Sequence, residues 1–257
     1  FKSVIKIATP MAERGDTDFE FLLGITYDNE KYSFNDSHRA IEWLSRAAEK
    51  KHEFAQCLLG DIYDKGRKDI KPNMQNAVKW YELASKSGLY TKSGSDIAQC
   101  NLGLIKLNVD GEPIDVDGAV RSFKLAGEQG NLQSLIVLGA LYYDGELCPQ
   151  DFQKCIEYCK LAIEHGAEDG LAEYMLASIY ENGLGVPINT KEAVKWYKQS
   201  TKYGDFDSMN NLGLMYYLGK GVDKNEQEGE RLLKMASESG SEDATSNLEY
   251  ILNNKLP

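Results

Sequence analysis

The sequence predicts an all-α solenoid of about six and a half two-helix repeats, and three observations predict it. A small-residue tract recurs in one phase along the chain. A second tract, bearing alanines and aromatics, follows it at a nearly fixed distance. Helix-starting and helix-ending residues stand where these two tracts require them.

The first tract reads Leu23-Gly24, Leu59-Gly60, Leu102-Gly103, Leu138-Gly139, Leu176-Ala177 and Leu212-Gly213, at spacings of 36, 43, 36, 38 and 36 residues. Three residues after its small residue come Tyr27, Tyr63, Lys106, Tyr142, Tyr180 and Tyr216. The second tract opens at Ala40, Ala77, Ala119, Cys155, Ala193 and Gly229. It carries Trp43, Trp80 with Tyr81, Phe123, Tyr158, or Trp196 with Tyr197, and returns to a small residue at Ala47, Ala84, Ala126, Ala162, Ser200 and Ala236. Offsets of i, i+3, i+4 and i+7 are one face of a helix and exclude a strand. Each repeat is therefore a helix A, a turn and a helix B. A glycine inside a helix costs about 1 kcal/mol against alanine, so its return at one phase implies close helix approach.

In chain order, Val4 to Gly15 fits a helix B alone, with Pro10 inside it, so a helix A is expected upstream of Phe1. Repeats follow at 17–52 and 53–89. The insert Leu89 to Asp96 precedes a third copy at 97–131, where Lys106 and Ser122 stand in for the usual Tyr and Trp. A kink or altered superhelical twist is expected there. Repeats at 132–167, 168–205 and 206–241 complete the array, and 242–257 keeps the helix A phase through Ala244 and Leu248 as a terminal cap. The whole of 1–257 is read as one domain.

Helix ends agree with this division. Asp36, Asn73, Asp115, Asp151, Asn189 and Asn225 each stand four residues before a helix B tract, where an N-cap belongs. Glu192 and Glu228 follow two of them at capping-box spacing. Gly88, Gly130, Gly166, Gly204 and Gly240 close helix B, where a left-handed residue is wanted.

The combined pattern resembles the Sel-one-like repeat family, relatives of the tetratricopeptide repeats. The fifth copy carries it best: Ala172 to Tyr180, then Gly183-Leu184-Gly185-Val186, then Lys191-Glu192-Ala193-Val194-Lys195-Trp196-Tyr197 and Gly204. The resemblance implies a right-handed α-α superhelix whose helix A rows line a concave face, and an adaptor role without a shared activity. By analogy with tetratricopeptide arrays, residues three before, one after, and four or five after the small residue of helix A face that groove. They include Asp28, Asp61, Asp64, Tyr143, Tyr174, Glu181, Asn210 and Tyr217, together with Asn29, Lys65, Asp144 and Asn182. Such an acidic, tyrosine-bearing face suits a basic or mixed protein partner, because tyrosine brings large contact area at small entropic cost. The free chain is expected to be a monomer.

Charge points the same way. A net charge of −11 repels polyanions, which disfavours nucleic acid and anionic membrane. The longest apolar run, Leu135 to Tyr143, falls far short of the ~18 residues of a membrane span. No signal sequence follows Phe1, and the compartment is left open between a bacterial periplasm or exterior and a cytoplasm.

No chemistry emerges from the usual constellations. His38, His52 and His165 do not share metal-ligand spacing on one face. Cys155 and Cys159 lie four apart but occupy core slots, and Cys148 with Cys155 flank a helix start at which an oxidising compartment would allow pairing. Ser3-x-x-Lys6 and Lys92-Ser93-Gly94 imitate penicillin-recognising motifs without the mixed sheet those need. Gly183-x-Gly185 is a turn between helices, and Asn35-Asp36-Ser37 is a lone glycosylation sequon. No catalytic residue, metal or cofactor is expected. The sequence reads as a protein-binding adaptor, an inhibitor or immunity protein of a bacterial effector being one form of it. The alternative is an enzyme or small-ligand binder, for example of β-lactams, whose cysteine-rich relatives carry paired cysteines absent here.

Overall fold

The computed structural model describes residues 2–29, 36–87, 92–107 and 114–254. They divide into two compact units, Phe1–Asn131 and Leu132–Pro257. The first contains α1 (Lys2–Glu13), α2 (Thr17–Tyr27), α3 (Ser37–Glu49), α4 (Glu53–Lys65), α5 (Met74–Ser87), α6 (Lys92–Leu107) and α7 (Val116–Glu128). The second contains α8 (Leu132–Asp144), α9 (Phe152–Glu164), α10 (Leu171–Asn182), α11 (Thr190–Ser200), α12 (Phe206–Leu218), α13 (Glu226–Glu238) and α14 (Glu242–Asn254). Even-numbered helices up to α12 are helix A and odd-numbered ones helix B. Within each unit, consecutive helices pack as hairpins, giving the all-α solenoid architecture that the period predicts.

The small-residue slot has a defined partner in every copy. Leu44, Tyr81, Phe123, Cys159, Tyr197 and Leu233, all fully buried, follow it by twenty or twenty-one residues on helix B. A Cβ placed on Gly60 would stand 2.5 Å from the Tyr81 ring, and one on Gly103 2.6 Å from Phe123. Overpacking of that kind costs roughly 1–3 kcal/mol, which meets or exceeds the helix penalty of glycine, so glycine wins. The sequence pairs Trp80 with Tyr81 and Trp196 with Tyr197; the second of each pair is the one that fills this slot.

All six expected N-caps form. Asp36, Asn73, Asp115, Asp151, Asn189 and Asn225 accept the backbone N–H three residues on, at 2.8–3.1 Å. Their own backbone N–H groups donate to the carbonyls of Tyr27, Tyr63, Lys106, Tyr142, Tyr180 and Tyr216, at 2.6–3.0 Å. This bond ties helix A to helix B whatever the side chain. It also corrects the capping-box expectation. The cap N–H of Asn189 and Asn225 is already used, so Glu192 turns to Lys195 and Glu228 to Arg231.

At the other end of helix B, Gly130, Gly166, Gly204 and Gly240 adopt φ of 85–100°, as expected, while Gly88 lies outside the described residues. In the first repeat Lys51 does this work at φ 67°. Around it His52 N–H reaches Ala47 O at 3.1 Å, the bond that closes a Schellman turn. Helix α1 runs through Pro10, which leaves the Lys6 carbonyl without its intrahelical donor.

Candidate functional site

In the first unit, helix A turns a row of apolar side chains to solvent. Ile25 and Leu104 stand one residue after the slot, Phe54 and Ile97 six before it, and seven residues along a helix return to the same face. Their exposures, 36–45%, are large for side chains of this size. Phe21, Phe54, Leu58 and Ile97 line a groove of about 400 Å³, with Asp61 and Lys65 at its edge. His52 stacks on Phe21 with ring centroids 4.4 Å apart, and its Nδ1 accepts the Ala55 N–H at 3.2 Å as the cap of α4. Burial lowers the His52 pKa, against the pull of Asp18, which keeps Nδ1 available as an acceptor.

The acidic residues expected on this face are largely spoken for. The turn after α4 is pinned by paired backbone bonds between Arg67 and Ile70, at 2.8 and 3.0 Å. From it the Arg67 guanidinium grips both Asp28 oxygens, at 2.9 and 3.1 Å, and Asp61 at 2.9 Å. Burial pushes the Asp61 carboxyl up, but Lys65 and Arg67 overcome it and hold it below the usual range. Asp64 stands apart. Burial raises its pKa, and among the described residues no cation reaches ion-pair distance of it.

In the second unit two of the expected residues, Glu181 and Asn210, enter one hydrogen-bonded chain. Lys220 Nζ donates to Glu181 Oε1 at 2.9 Å, and Tyr197 Oη donates to Glu181 Oε2 at 2.9 Å. Asn211 donates to Tyr197 Oη at 3.0 Å, Asn210 to Asn211 at 3.1 Å, and Asn247 to Asn210 at 2.9 Å. Asn210 is buried within this chain and offers little to solvent. Tyr143 and Ser178 share a 2.7 Å bond, and Phe152 meets the Tyr143 ring edge-on. Tyr174 leans on Tyr197, half-buried, and burial pushes its pKa up to about 12. Tyr217 is half-buried with Lys224 over its ring. Sequence reasoning found these residues but missed Phe54, Ile97, Arg67 and Lys220. The first two carried a signal, apolar side chains in a helix phase the core does not use. The turn cations carried none, since no period fixes their direction.

The departures in the third copy are coupled. Lys106 Nζ donates to Ser122 Oγ at 3.2 Å and to Gly118 O at 3.3 Å, replacing an aromatic contact such as Tyr142 on Tyr158 by a polar one. Cys155 and Cys159 are fully buried with sulfurs 3.8 Å apart, and none of the five cysteines is in a disulfide, Cys148 lying against Leu141 O. Among the described residues no three His, Cys, Asp or Glu converge as metal ligands. Ser3 and Lys6 are exposed on α1. No helix among the described residues is long and apolar enough to cross a membrane.

The Sel1 repeat matches at residues 18–52, 54–89, 133–166, 170–205 and 206–241. The chain belongs to the Sel1 repeat family. Sel1 repeat proteins are in general protein-interaction scaffolds. The match passes over the third copy, where Lys106 and Ser122 replace the aromatic pair. The crystal structure of c5321, a protective antigen of uropathogenic Escherichia coli strains with an SLR fold, is similar with a TM-score of 0.83 and 30% identity, covering 97% of this chain and 52% of that one. A Sel1 repeat protein from Oxalobacter formigenes is similar with a TM-score of 0.65 and 29% identity over 86% of this chain and 85% of that one. The chitin synthase regulator SKT5 of Malassezia restricta is 25% identical over 189 residues, 70% of this chain. The chain spans only 12% of that relative's length.

Proposed function

We propose that this Sel1 repeat protein holds a protein partner against its helix A face, the face its family resemblance makes concave. The observation that carries the reading is the solvent-facing apolar side chains of helix A, Ile25, Phe54, Ile97 and Leu104, two of which, Phe54 and Ile97, line a groove of about 400 Å³. Contiguous exposed apolar surface, rimmed by polar groups, marks interaction sites. In the second unit Tyr143 and Tyr217, four residues after the small residue of helix A, and Tyr174, three before it, are half-buried amphipathic side chains suited to contact. The helix interiors supply no such surface, because their small and aromatic residues are used to hold neighbours. An inhibitor or immunity protein is one form of this role.

The test is capture of partners from the native host on immobilised protein, in parallel with Phe54→Asp and Ile97→Asp. A partner retained by the parent chain and lost from both variants, with unchanged far-ultraviolet circular dichroism, supports the reading. Equal retention by all three removes the helix A face as the site.

A further inference from the structure

The second unit has a groove of its own. It measures about 400 Å³ and is walled by Leu132, Ile136, Val137 and Ala167, with Glu168 and Asp169 at its rim. Leu171, 42% exposed, stands two residues beyond Asp169. The rim decides what can lie in the groove, because it opens a longer acidic edge. Hairpin packing makes α10, α12 and α14 run in one direction, so their starts share a side of the unit. Asp205 and Asp207 stand at the start of α12, and Glu242 and Asp243 at the start of α14.

Capping accounts for part of this edge. Asp169 accepts the Leu171 N–H at 3.0 Å, Asp205 accepts the Ser208 N–H at 2.6 Å, and Ser241 serves α14. Glu168, Asp207, Glu242 and Asp243 are exposed and accept no backbone N–H among the described residues. The acids also face one another. A Cβ on Gly170 would stand 3.4 Å from that of Asp205. Burial, with Asp205 and Asp243 adding to it, raises the Asp207 pKa. The ion pairs of this unit lie elsewhere, as in Lys154 with Asp151, Lys195 with Glu192 and Lys220 with Glu181. Lys202, only three residues before Asp205, donates instead to Gln199 at 2.6 Å. Among the described residues no cation reaches ion-pair distance of the edge.

A wholly apolar segment laid here would strip water from these carboxylates without replacing it, and an acidic one would be repelled. A basic segment with an apolar anchor satisfies both parts. We propose that the second unit docks an extended basic segment of a partner protein, with one large apolar side chain seated against Ile136 and Val137 and lysine or arginine laid on Asp207 and Asp243. This rests on the scaffold reading above and names the chemistry of the segment that is held. Packed helices lie about 8–10 Å apart and extended chain advances ~3.3 Å per residue, so the segment meets a new helix about every three residues. The basic residues therefore stand about three and about six positions from the anchor.

The test titrates two synthetic peptides into the methyl-labelled full chain, one with lysines at those spacings after a leucine and one with them before it. One of the two is expected to shift the Ile136 and Val137 methyl signals with a dissociation constant below about 1 mM. Serine for its leucine, or glutamate for its lysines, is each expected to weaken binding about tenfold. No shift of those methyls by either peptide up to about 1 mM overturns the proposal, without any variant having to fold. Equal binding with glutamate in place of lysine overturns it too. Asp207→Asn combined with Asp243→Asn, at exposed positions, is expected to weaken the lysine peptide about tenfold with unchanged circular dichroism. A host partner lost from Phe54→Asp but fully retained by this double variant and by Ile136→Asp overturns the second-unit site and leaves the scaffold reading standing.

Discussion

Four residues before the small slot of helix A, the six copies carry Glu20, Gln56, Gln99, Leu135, Glu173 and Met209. Glu20 is fully buried and bound by Lys50 at 2.8 and 2.9 Å and by Arg46 at 3.1 Å. Glu173 is 2% exposed, yet its Oε2 has no partner among the described residues. The residues in the register of Arg46 and Lys50 are Gln199 and Tyr203, neither of them a cation. Burial, with Asp169 adding to it, raises the Glu173 pKa. A raised carboxyl pKa means that the folded state keeps a proton that the unfolded chain has released. The resulting destabilisation is absent below the unfolded value near ~4.3 and grows as pH rises through the folded one. Replacing Glu173 by Met, as the sixth copy does at Met209, is expected to stabilise the protein by about 1–2 kcal/mol at pH 7. Urea unfolding of Glu173→Met at pH 5 and pH 7 checks it: the gain is larger at pH 7. A loss of stability at both values would show that Glu173 has a compensating partner. The pattern at these six positions was open to reading, but the absence of a cation became visible only once helix ends had directions.

At the scale of the element, the third hairpin shows what a period fixes and what it leaves free. Its helices α6 and α7 keep the slot packing, Gly103 under Phe123, and the N-cap bond of Asp115 to the Gly118 N–H. These parts were legible because each depends on local residue choice in register: a glycine where Cβ does not fit, an acid where helix N–H groups lack partners. The contact between Lys106 and Ser122 was not legible as a pair. The sequence shows two departures sixteen residues apart, and only the hairpin places them together at 3.2 Å. Each alone breaks the pattern; together they exchange an aromatic contact for a hydrogen bond. Ser122→Trp alone is expected to destabilise by about 1–3 kcal/mol, since the indole displaces the ammonium from Ser122 Oγ and Gly118 O. Lys106→Tyr alone is expected to cost about 1 kcal/mol by leaving the Ser122 hydroxyl unpaired. The double variant restores the pair found in other copies, so a double-mutant cycle in urea is expected to give a favourable coupling of about 1 kcal/mol or more. Zero coupling would mean that the two sites do not sense one another.

For the whole molecule, charge decides a question that neither residue nor helix can. The chain carries 40 acidic and 29 basic residues, and its net charge of −11 repels itself in the folded state more than in the expanded one. Opposing this are local pairs that salt also weakens, notably Arg67 with Asp28 and Asp61 and the Lys50–Arg46 clasp on Glu20. The two effects differ in reach. Repulsion among exposed charges acts over distances comparable to the ~10 Å Debye length at 0.1 M and is largely removed by salt. The pairs close at 2.8–3.1 Å, with Arg67 and Asp28 near one-eighth exposed and Glu20 not exposed at all, where screening is weaker. Relief of repulsion therefore outweighs the weakening of these pairs. At pH 7, raising sodium chloride from about 0.01 to 0.15 M is expected to stabilise the fold by about 1 kcal/mol, a rise in melting temperature of roughly 2–4 °C at this chain length. Scanning calorimetry at the two salt levels checks it. A melting temperature that falls with salt would place the balance in the internal pairs, and Arg67→Gln would then remove most of the salt response.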